Sequence, residues 1–209
     1  MKALQKAGGV GALLLALSFV LLIVNIAVIS PSLGISGADA DNPAKVFAVA
    51  PAARLLFSIP ILFAVAFTLV ALGLNDRLQE SAPALMRIAT AAGLGGAILF
   101  LAAGMFAWRG LPILAGLYAQ SPAAVTTTDL VLGDAISDGL LTAGIFAAGW
   151  FALLASWTAL RGGLSKILSY LGLAFGAASI LGFAIPLGPI GIVLGVVWGI
   201  WLGIVLWRS

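Results

Sequence analysis

Six stretches of this chain are apolar enough and long enough to cross a bilayer, and they consume most of its 209 residues. A spanning helix needs about 20 predominantly apolar residues. The stretches cover residues 8–29, 52–74, 88–108, 139–160, 167–185 and 190–207. No water is present in hydrocarbon to satisfy backbone N–H and C=O groups, so each stretch is expected to be a helix. The expected fold is all-α: a polytopic bundle of six spans, forming one transmembrane domain over residues 1–209. The first stretch opens on Lys2 and Lys6, and Ala38-Asp39-Ala40 downstream imitates a secretory cleavage site. A signal peptide's apolar region is only about 7–15 residues long, so this longer run is expected to be a true first span.

Composition narrows the chemistry. Hydrophobic residues make up 63% of the chain and charged residues 8%, against roughly 25% charged in a soluble domain. Histidine and cysteine are both absent. That removes the common ligands of zinc, haem and iron–sulfur centres, thiol nucleophiles, disulfides and Ser-His-Asp catalysis. No metal or cofactor is expected, and the chain does not read as an enzyme. The net charge of +3 rests on ten basic residues spread along the sequence, a pattern that speaks for membrane topology and against nucleic-acid binding.

With both termini inside, the inner segments hold Lys2, Lys6, Arg77, Arg87, Arg161, Lys166 and Arg208. The outer segments hold Lys45, Arg54 and Arg109 with Asp39, Asp41, Asp129, Asp134 and Asp138. Basic residues concentrate on the cytoplasmic side, so the expected topology is N-in/C-in, in a cell membrane such as a bacterial inner membrane. Interfacial anchors are expected at Trp108 and Tyr118 outside, and at Trp157, Tyr170 and Trp207 inside. The outer connection 109–138 is expected to carry a short interfacial segment near 111–119, then a helix continuing into the fourth span. A weak repeat aligns residues 85–94 with 164–173, as parallel halves of a transporter would.

Two groups of residues stand out as sites. In the last span Gly191, Gly195, Gly199 and Gly203 are spaced by four, leaving one face without side chains; Gly172 and Gly176 repeat the pattern in the fifth. Such small-residue stripes let helix backbones approach closely in lipid, and the partner helix belongs either to the same chain or to another subunit. The second group is Arg54, Asp134 and Asp138 near the outer boundary, where Arg54 is expected to pair with one of the aspartates or to act as an anion gate. Asn25 is a lone amide in the first span, expected to bond to another helix.

The run Leu160-Arg161-Gly162-Gly163-Leu164-Ser165-Lys166-Ile167-Leu168-Ser169-Tyr170-Leu171-Gly172, then Pro186-Leu187-Gly188-Pro189 and Trp198-Gly199-Ile200-Trp201-Leu202-Gly203, resembles the end of a bacterial family of six-helix integral membrane proteins classed as a domain of unknown function. Ser165-Lys166 stands where that family more often has Pro-Arg. The resemblance implies an inner-membrane protein and carries no activity or site residues.

Three functions fit these features. The first is an accessory or structural subunit of a larger membrane complex, packing through the glycine face, with lipids and other membrane subunits or a second copy as partners. The second is a small transporter or permease. The third is a membrane sensor or lipid-binding module, which would show an ordered pocket under residues 109–138.

Overall fold

The computed structural model describes residues 2–34, 42–49, 58–122, 127–182 and 187–208. Among them the chain is helical without strands. Helix α1 covers Lys2–Val24 and is carried on by a π-helical turn, Asn25–Ile29, and one further turn, Ser30–Ser32. Then follow a short α2, Pro43–Ala48, and the longer α3, Ile59–Leu78, α4, Pro83–Gln120, α5, Thr127–Ala159, α6, Lys166–Leu181, and α7, Gly188–Trp207. Five of these helices are long and apolar enough to cross a membrane, so this is a multi-pass helical membrane protein. At 16 residues α6 is shorter, about 24 Å at 1.5 Å per residue.

The six long helices close into a ring. Each packs on its neighbour in sequence, from α3 to α7, while α1 packs on both α3 and α7. Contacts along the seams run in opposite senses: Gly8 lies against Gly73 and Gly11 against Ala66, while Gly9 lies against Trp207 and Phe19 against Gly195. The helices therefore alternate in direction right round the ring. All seven basic residues expected on the inner side gather at the end that also holds the first and last described helical residues, Lys2 and Trp207. Side-chain bonds lace that end together: Gln5 Nε2 donates to Asp76 Oδ2 (3.1 Å), Arg77 Nε donates to the Gly163 carbonyl (2.9 Å) and Thr90 Oγ1 donates to Asn75 Oδ1 (3.2 Å).

The connection after Trp108 differs from the sequence expectation. No break occurs there: α4 runs straight through Arg109 and Pro112 for 38 residues, about 57 Å, well beyond the roughly 30 Å hydrocarbon core. A proline removes one helical hydrogen bond, and packing outweighs that loss. Leu111, Leu114, Ala115 and Tyr118 form a helical stripe covered by Val46 and Phe47 of α2. In place of an interfacial strip, 109–138 contains the end of α4 and the start of α5.

Candidate cavity within the helix ring

One half of the ring is solid and the other half is hollow. Toward the basic end Leu74, Leu78, Met86, Ala155, Leu168, Leu202 and Leu206 fill the centre and are fully buried. At mid-height a chain of aromatic rings crosses the bundle. Trp198 stacks on Phe175 (5.4 Å between centroids), Phe175 meets Phe19 edge-on (5.8 Å), and Phe19 meets Phe63 (4.9 Å). Phe63 and Phe67 both stack on Phe100 (5.5 and 5.6 Å), and Phe67 meets Phe151 edge-on (6.3 Å). Every long helix supplies at least one ring.

Above this layer lies a cavity of about 530 Å³, within the range of about 300–1,000 Å³ typical of small-molecule sites. Its floor is Phe19, Phe63, Phe67, Phe100 and Phe175, and its walls include Ala107, Ile145, Ala148 and Ile192. Polar groups come in higher up: Asn25, Ser30, Ser137, Asp138 and Ser179. All six long helices contribute, and so does Val46 of α2. Leu111 of α4 and Ser137 and Asp138 of α5 are among the lining residues, and the site has an apolar base and a polar rim.

The rim is organised by the π turn of α1. The backbone N–H of Ser30 bonds back to the Asn25 carbonyl, and the Ser30 hydroxyl donates to Asn25 Oδ1 at 3.0 Å. Both bonds span the same five residues, so the Asn25 carboxamide oxygen is tied within its own helix, where a bond to another helix was the expectation. π turns in α-helices occur frequently at functional sites.

The glycine stripe of α7 is turned inward and is occupied. A Cβ built on Gly199 would lie 2.8 Å from the Ala12 carbonyl oxygen, and one on Gly203 would lie 2.7 Å from Leu13 Cγ. One on Gly195 would strike the Phe19 ring, whereas Gly191, at the cavity wall, meets nothing closer than Ala178 Cβ at 3.8 Å. Gly176 sits on the backbone of α5, 2.7 Å from the Gly149 carbonyl by the same construction, and Gly172 faces Ser156 and Trp198. The partner helices are α1 and α5 of this same chain. Gly8, Gly11, Gly73 and Gly149 each close a seam as well. Sequence reasoning misses these four, because the glycines of α1, α3 and α5 do not repeat every four residues as those of α7 do.

Of the charged group, Asp138 is exposed on α5 and lines the cavity rim. Asp134 lies one turn earlier in α5 with its side chain outside the described residues, and Arg54 also falls outside them. Among the aromatic anchors, Trp157, Tyr170 and Trp207 are exposed on the flank nearer the basic end. Trp108 and Tyr118 are both half-buried, and the unbroken α4 sets them about 15 Å apart along its axis. Tyr118 packs on Phe47 with ring centroids 5.2 Å apart. No cluster of three metal-binding side chains occurs among the described residues.

Comparison with protein-family models, with curated proteins and with solved structures finds no match.

Proposed function

We propose that this protein is a six-span cell-membrane protein, both termini on the cytoplasmic side, that binds a lipid-like amphiphile inside its helix ring. The observation that carries the reading is the 530 Å³ cavity with a phenylalanine floor and a polar rim. An apolar enclosure with a few convergent polar groups is the usual form of a small-molecule site. In this arrangement α6 crosses as the sixth span between α5 and α7.

The other readings have weaker support. An accessory subunit would dock through the glycine face, but α1 already fills that groove. A permease would draw support from a polar route through the bundle. The half below the aromatic layer is filled with leucine, methionine and alanine, and the buried hydroxyls of Ser18, Thr158 and Ser169 bond to carbonyls one turn back on their own helices.

The test is gentle extraction of the full chain, followed by native mass spectrometry and identification of whatever is released on denaturation. A stoichiometric amphiphile is expected with the wild type and is expected to be lost with Ala107→Trp, which fills the cavity from α4. Equal retention by both proteins would remove the cavity as the site.

A further inference from the structure

The rim of the cavity is rich in hydrogen-bond acceptors. The Ser30 hydroxyl spends its proton on Asn25, and the Ser179 hydroxyl donates to the Phe175 carbonyl at 2.9 Å. What these hydroxyls still offer is oxygen lone pairs. Asp138 adds a carboxylate and is the one ionisable side chain among the described residues lining the cavity. An anionic head group would find there a like charge, with no cation among the described lining residues to offset it. A cationic head, with or without N–H groups, would be matched by the carboxylate and by these oxygen lone pairs; the rim's remaining donors are the Asn25 amide N–H and the Ser137 hydroxyl.

Depth adds a second constraint. On α5 the floor ring Phe100 lies against Gly144 and the lowest lining residue is Ala148, six and ten residues from Asp138, so the carboxylate stands about 9–15 Å above the floor along the helix axis. That is the reach of an extended alkyl chain of about seven to twelve carbons with its end on the phenylalanine layer. We infer, building on the amphiphile-binding reading above, that the ligand class is cationic: an apolar body seated on the Phe63–Phe100 floor with an ammonium-type head held at Asp138.

The experiment uses the full chain in nanodiscs and three photoreactive probes with the same dodecyl tail, carrying trimethylammonium, phosphocholine or sulfate heads. Labelled peptides are mapped by mass spectrometry. The trimethylammonium probe is expected to label the cavity-lining segments of α3, α4 and α5 about tenfold more efficiently than the sulfate probe. Asp138→Asn is expected to erase that preference and Asp138→Glu to restore it; Asp138 is exposed, so neither change threatens the fold. Competition by soluble benzyltrimethylammonium would point to a water-borne cation, and its failure to compete to a bilayer-borne one. Equal labelling by all three heads, a preference for sulfate, or a preference that survives Asp138→Asn would overturn the head-group assignment while leaving the cavity a binding site. No cavity labelling above that of the exposed Ile98 and Val193 positions by any probe would instead remove the binding reading itself.

Discussion

The ring of Phe19 stands edge-on to that of Phe63 with centroids 4.9 Å apart, and this contact joins the first helix to the third at the base of the cavity. It is one link of a series that runs from Trp198 to Phe151 and touches all six long helices. Helices in lipid gain nothing from hiding apolar surface from water, so close packing has to hold the bundle. Edge-on and offset-stacked rings each contribute about 0.5–1.5 kcal/mol beyond their area. The aromatic layer therefore both fastens the ring and separates its solid half from its hollow half.

Phe100 touches Phe63 and Phe67 in that layer and also lies against Gly144 of α5. Phe100→Ala should enlarge the cavity downward and destabilise the protein by about 2 kcal/mol, the cavity part of the usual core-truncation cost. Equilibrium unfolding in mixed micelles measures this, and Phe100→Leu should recover a large part of the loss.

Glycines on one stripe should differ sharply in tolerance. Gly199→Ala forces a methyl group to 2.8 Å from the Ala12 carbonyl and should cost about 1–3 kcal/mol through overpacking. Gly191→Ala, with 3.8 Å to its nearest neighbour, should be neutral or mildly stabilising. Thermal melts of the two variants side by side decide it; equal effects would mean that α1 does not occupy the groove.

Buried hydroxyls should matter little to stability. Thr158 Oγ1 donates to the Leu154 carbonyl at 2.9 Å and Ser18 Oγ to the Leu14 carbonyl at 2.8 Å, both one turn back on the same helix. Thr158→Val and Ser18→Ala should each change stability by less than about 1 kcal/mol. A larger loss in the same unfolding assay would reveal a cross-helix role for them.

Orientation can be read directly because the chain has no cysteine. Ser81, between α3 and α4, and Ser121, after α4, are both exposed at opposite ends of the ring. An impermeant maleimide added to intact cells should label Ser121→Cys and spare Ser81→Cys, and inverted vesicles should give the opposite result.

The helices are legible in the sequence because a bilayer demands a long apolar run and one secondary structure of every crossing. Their ends are less so. Arg109, Gly110 and Pro112 look like a helix terminus by local propensity, yet the stripe Leu111, Leu114, Ala115 and Tyr118 has helical spacing and finds cover on Phe47; tertiary contact overrides the local signal. The α7 glycines are readable as a close-packing face, but spacing alone does not say which helix fills it. The cavity has weaker signals still. Its floor comes from phenylalanines dispersed over α1, α3, α4 and α6, and only ring closure brings them together. Asn25, Ser179 and Asp138 are visible as scarce polar residues in an apolar chain, whereas their common destination is not.

The seam between α1 and α7 joins the two most distant helices of the chain. During synthesis α1 is made before the other described helices, and Ala12, Ala16 and Phe19 must wait through the appearance of every intervening helix before Gly195 and Gly199 arrive against them. Of the described helices α7, Gly188–Trp207, is thus the last to complete the wall of the cavity.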